Sequence, residues 1–138
     1  MNIVNLIYHN SFLNELFPNG LEPNVLIGQV DLDRCGRLRL DLHTRQKPSK
    51  EIKKWGIWGE DYDVIVIHLH GTALGETHLE NWEKADYGRI SLSHDRIANE
   101  QEPDVFTLLY SGESWYVKIQ SQGLSFDRCS VHSDGRFL

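Results

Sequence analysis

His68 and His70 stand two residues apart in the run from Tyr62 to Thr72. That is the spacing at which two imidazoles leave one face of a strand and can chelate the same metal ion. A cupin-like site would place Gly at 62, where Tyr62 stands, and Glu four or five positions beyond the second histidine, whereas Glu76 is six beyond His70. His78 and His94 could complete a ligand set only through a fold that spacing does not reveal. The residues therefore predict half-buried, hydrogen-bonded histidines, no metal and no cofactor.

Other constellations fail on geometry. Ser93-His94-Asp95 contains the three residue types of a hydrolytic triad, but neighbours in a strand point to opposite faces and cannot relay a proton. Gly112-Glu113-Ser114-Trp115-Tyr116 begins like a nucleophile elbow, yet its fifth residue is Tyr and it lies between two strand-like runs, so a hairpin turn is expected. Cys35 has Arg34 and Arg37 beside it, which could lower a thiol pKa, but an unreactive turn cysteine explains the same residues. No glycine-rich phosphate loop occurs. No catalytic residue is expected.

Aromatic and acidic side chains remain as candidates. Trp55, Trp58, Glu60 and Asp61 fall in one polar stretch, and Glu76, Glu80, Trp82, Glu83 and Asp86 in the next. Tryptophan ringed by carboxylates suits a protein-binding surface, where the aromatic anchors and the charges steer. The same residues also suit a sheet covered by tryptophans and solubilised by acids.

The elements that would position these groups are mostly strands. Phe12, Leu13, Leu16 and Phe17 recur at helical spacing within His9–Phe17, with Asn10 or Ser11 as N-cap and Pro18-Asn19-Gly20 as the stop. Val25 to Leu32 reads as a strand with a bulge at Gly28-Gln29, and Arg34-Cys35-Gly36 as its turn. Leu38, Leu40 and Leu42 then alternate with Arg37, Arg39, Asp41 and His43, which buries the leucines and leaves the charges in water. Residues 44 to 61 read as a long connection. Tyr62 to Thr72 alternates with both faces nearly apolar, which predicts a central strand. Further strands are expected at Arg89–Ser93, Val105–Tyr110, Ser114–Gln120 and Leu124–His132, with a helical turn around Leu79–Ala85. The expected fold is α+β and β-rich, a single domain over residues 1–138: an antiparallel sheet or sandwich of about seven short strands with one short N-terminal helix.

Composition agrees with a folded chain: 138 residues, 40% hydrophobic and 25% charged. The first eighteen residues carry no Lys or Arg and no unbroken apolar stretch, so a cytoplasmic protein is expected. Two cysteines, Cys35 and Cys129, are too few for a disulfide scaffold. The net charge of −6 is unevenly spread: residues 34 to 54 hold eight basic residues against two acidic ones, and the rest is acidic. Such a body disfavours nucleic acid and favours a basic protein partner.

Phe12 to Pro18 as opening helix and stop, the Val25 to Leu42 hairpin with its Arg-Cys-Gly turn, Lys53-Lys54-Trp55, the Tyr62 to Leu69 strand and the closing run Leu124 to Phe137 together resemble the immunity proteins of bacterial polymorphic-toxin systems, specifically the immunity protein 50 family. The segment from Ala73 to Pro103 has no matching feature. The resemblance implies a cytoplasmic antidote that occludes a cognate secreted toxin, such as a nuclease, by tight binding. It carries over no catalytic residue. Two other classes fit the residues alone: a small metal-dependent enzyme using His68 and His70, or a structural or adaptor subunit.

Overall fold

The computed structural model describes residues 1–135, so Arg136 and Phe137, the end of the closing run above, lie outside the described residues. Two short helices open the chain, α1 (Ile3–Leu6) and α2 (Ser11–Leu16). The Asn2 side chain accepts the Val4 amide and so caps α1, which the sequence reading missed because four residues are too few to show a period. α2 falls within the expected helix, and its leucines Leu13 and Leu16 are wholly buried.

Six strands follow among the described residues: β1 (Asn24–Leu32), β2 (Arg37–Thr44), β3 (Val64–Glu80), β4 (Gly88–Arg96), β5 (Val105–Ser111) and β6 (Tyr116–His132). All pair antiparallel in the order β1-β2-β3-β6-β5-β4, and the sheet closes into a barrel through Asn24 opposite Arg89 and Val25 opposite Gly88. The fold is thus β-rich and antiparallel with helix at its N-terminus. Between the sheet and the sandwich expected, the chain adopts a closed barrel, which leaves fewer strand edges exposed.

Pairing explains the strand count. Residues 114–120 and 124–132 were expected as two strands parted at Gln122-Gly123, but β6 runs through that point as one element of 17 residues. β3 is equally long, extending beyond the expected Thr72 to Glu80. The two stay paired across register shifts at His68/Leu69, Gly71/Ala73 and Ala73/Thr77, the last two falling where the strand was expected to end. Gly71 permits the shift at Gly71/Ala73, because a Cβ there would run into the Gly123 carbonyl oxygen. Gln120 Oε1 accepts the Glu76 amide at 2.9 Å and bridges the shift at Ala73/Thr77. The helical turn expected near Leu79–Ala85 is present as a 3₁₀ turn at Trp82–Lys84.

The β1–β2 hairpin follows the sequence closely. Its bulge falls between Ile27 and Gln29. The Asp33 carboxylate accepts the amides of Cys35 and Arg37, and Gly36 takes the positive φ of +85° that the turn requires. Leu38, Leu40 and Leu42 face the barrel interior, where they meet Ile27, Ile65, Ile67 and Leu69, while Arg39 stays exposed. α2 and the 3₁₀ turn Lys53–Trp55 add Leu13, Leu16, Phe17 and Trp55 to this core.

Candidate functional site

The expected partner-binding residues divide into three groups. Trp55 is not an exposed anchor: it is 9% exposed and packs edge-to-face on Phe12 and Tyr62, with centroids 6.0 and 5.9 Å away. Long polar connections suggested solvent, but the turn at Lys53–Trp55 rolls this ring inward while both lysines stay outside. Trp58 is half-buried on Tyr62, with Ile57 and Glu60 exposed beside it. The Asp61 carboxylate accepts the Ile57 amide at 2.7 Å and shapes that loop.

Glu76, on the bulged part of β3, pairs with Lys118 at 3.2 Å. Asp86 accepts the Tyr87 amide with its carboxylate and the Tyr110 hydroxyl with its carbonyl. These two carboxylates therefore help hold local structure. Glu80 and Glu83 are exposed and form no ion pair among the described residues, and between them Trp82 is half-buried. Leu79 adjoins them, 44% exposed. This patch joins apolar area to uncompensated carboxylates.

The histidines have a different outcome. His68 and His70 do share the outer face of β3, with Ile67 and Leu69 turned inward. His68, however, has both ring nitrogens engaged. Its Nδ1 lies 2.7 Å from Asp41 Oδ1 on β2, and its Nε2 lies 2.9 Å from Ser130 Oγ on β6. Side-chain exposure is 17% for His68 and 25% for Asp41. Among the described residues no group of three or more His, Cys, Asp and Glu side chains is placed to hold a metal ion.

His43 and His132 stand close to these contacts on the same face, rings 5.5 Å apart and edge to face. His43 lies over Gly28 at the β1 bulge, where any Cβ would collide with its ring. Burial lowers the His43 pKa below the usual imidazole value, and the neighbouring His132 adds to the effect. A shallow cleft of about 190 Å³ opens beside Asp41 and His68, lined also by Arg39 and Arg128 and by the carboxylates of Asp31 and Asp127. Neither arginine forms an ion pair among the described residues.

Sequence reading did not bring Asp41, His68 and Ser130 together. Alternation shows that each can face outward from its strand, but the register that joins residues 27 and 62 positions apart is set by the pairing of β3 with β2 and β6. The rejected motifs behave as expected. Ser93 Oγ donates to Asp95, whose carboxylate also accepts from Thr107, while His94 turns away to Asp104 at 2.8 Å. Residues 112–115 form the β5–β6 turn, with the Gly112 amide donating to the Trp115 carbonyl. Cys35 is exposed in its turn, and burial pushes the Cys129 thiol up to about 12.

No helix among the described residues is long and apolar enough to cross a membrane. No family model, curated protein or solved structure matches the chain.

Proposed function

We propose that this chain is an immunity protein that binds and neutralises a cognate secreted bacterial toxin domain, with a nuclease as the kind of target its charge suits. The reading combines the immunity-protein resemblance of the sequence with one surface observation. Leu79 is exposed beside the half-buried Trp82, and the carboxylates of Glu80 and Glu83 next to them have no cationic partner among the described residues. Apolar anchor and free charge together are what a hot spot with electrostatic steering requires. A second, smaller patch of the same make-up lies at Ile57, Trp58 and Glu60. Occlusion of a basic cleft needs no catalytic step, no cofactor, no nucleic acid and no membrane. The protein would act in the cytoplasm of the cell that makes the toxin.

The test is binding kinetics, at two ionic strengths, with the toxin domain encoded beside this gene. Glu80→Lys with Glu83→Lys should slow association about tenfold at low salt and flatten its salt dependence, since steering acts on the encounter rate. Trp82→Ala should instead speed dissociation. Unchanged kinetics in both variants would reject this surface, and absence of any complex with the wild-type chain would reject the function.

A further inference from the structure

We infer that Asp41, His68 and Ser130 form a nucleophile relay, and that Ser130 Oγ can take the acyl group of an activated carboxylic ester. The inference goes beyond toxin binding and does not depend on it. Its warrant is the order of contacts. A carboxylate at 2.7 Å from Nδ1 fixes the imidazole as the tautomer that carries its proton there. That leaves Nε2, 2.9 Å from Ser130 Oγ, as a proton acceptor facing a hydroxyl. The three groups come from three adjacent strands of a closed barrel, so their spacing is held by the backbone ladder.

The surroundings supply further elements that acyl transfer needs. Val66, which pairs with His43 on β2 and Ser130 on β6, is 6% exposed and sets an apolar side chain beside the relay. Arg128 lies two residues before Ser130 and opposite His68 in the ladder, and its exposed guanidinium is free of ion pairs among the described residues. It can therefore approach the oxygen on which negative charge develops. Asp127 is the extra residue where the β3–β6 register shifts between His68 and Leu69, and such bulges often re-aim side chains beside reacting groups.

In acylation, the bond from Ser130 Oγ to the carbonyl carbon forms while the hydroxyl proton passes to His68 Nε2. The resulting imidazolium is paired with Asp41. The ester C–O bond then breaks and the leaving oxygen takes the proton from Nε2. Water reverses the sequence: it gives its proton to Nε2 and attacks the carbonyl, and the proton returns to Oγ as the acyl–serine bond breaks. The products are a carboxylic acid and an alcohol.

The experiment uses two defined probes on the whole chain, a biotinylated alkyl fluorophosphonate and p-nitrophenyl acetate. Peptide mapping should find one phosphonate adduct, on Ser130, and the ester should release a burst of nitrophenolate close to one equivalent. Ser130→Ala should abolish both. His68→Gln and Asp41→Asn should each slow labelling at least 100-fold, within the usual range for general-base loss. Arg128→Ala should slow acylation without altering which residue is labelled. A wild-type chain that stays unlabelled, or carries the adduct elsewhere, overturns the relay whatever the variants do. Equal labelling of folded His68→Gln, with folding judged by its urea midpoint, overturns it too and leaves Asp41, His68 and Ser130 as a cross-strand hydrogen-bond ladder.

Discussion

Replacing Leu40 by Ala tests the barrel register at one of its best-covered points. Leu40 is 1% exposed, lies opposite Val30 on β1 and Leu69 on β3, and belongs to the continuous apolar interior. The substitution removes three carbon groups, worth about 2.4 kcal/mol of transfer at ~0.8 kcal/mol each. A residual cavity in a closed barrel adds to this, so a total of about 3–4 kcal/mol is expected, inside the usual range for such changes. Unfolding entropy of ~2.1 cal/mol/K per residue gives a chain of 138 residues about 0.29 kcal/mol/K. The Tm should therefore fall by about 10–14 °C. Arg39→Ala, one residue earlier on the outer face, should change the Tm by less than about 2 °C, because exposed side chains without an ion pair contribute little. Thermal and urea melts followed by circular dichroism would measure both. If Arg39→Ala proved the more destabilising, with an unchanged m value, the inward and outward assignment of β2 would be wrong.

Trp55→Ala should cost about 3–5 kcal/mol and Trp58→Ala distinctly less, because only the first ring is core; paired thermal melts would show it. The half-buried Cys129 thiol, with its pKa pushed up to about 12, should resist iodoacetamide at pH 8 while exposed Cys35 reacts, and urea should equalise them by mass spectrometry. His43 has a lowered pKa in the fold, so the unfolded chain binds its proton first as pH drops. Its contribution is then fully present above the free imidazole value near 6.5 and is lost as pH falls through the folded value. His43→Gln should reduce the loss of stability between pH 7 and 5, and an unchanged pH profile would count against its burial as the cause. Addition of a chelator should leave the Tm unchanged, since His68 already has Asp41 and Ser130 on its two nitrogens; a drop of several degrees would reveal a bound metal.

The β1–β2 hairpin was legible in the sequence because its signals are local: alternating leucines, a Gly-Gln break and a turn closed by the Asp33 side chain and Gly36. β3 was legible as a central strand for the same reason, since both of its faces are apolar at Val64 to Ile67. Its continuation to Glu80 was not. Gly71, Gly75 and Gly123 look like strand ends in isolation, yet Gly71 lets two backbones approach, Gly123 leaves room for the Tyr8 ring, and Gly75 turns the chain through a bulge. The acidic candidates were found by composition, which cannot separate Glu80 and Glu83, left free, from Asp61 and Asp86, consumed by nearby amides. Trp55 was misjudged because loop polarity describes the segment and not the direction of one ring. The relay at His68 lay beyond reach, since Asp41 and Ser130 are joined to it only by tertiary pairing.

The pairing of β3 with β6 has a consequence during synthesis. Val64 meets His132 and Ile67 meets Cys129, so the most apolar strand has no neighbour on that side until the last part of the chain has been made. At ~5–20 residues per second, translation leaves that edge open for several seconds while β1, β2 and β3 already exist. Loop closure over this separation is also slow, as it is for folds dominated by distant contacts. A nascent chain stalled before Tyr116 would present Val64-Ile65-Val66-Ile67 as an uncovered template for other strands. Ribosome-bound chains halted at about residue 110 should therefore recruit chaperone or aggregate, and full-length chains tethered through an added C-terminal linker long enough to bring β6 clear of the exit tunnel should not.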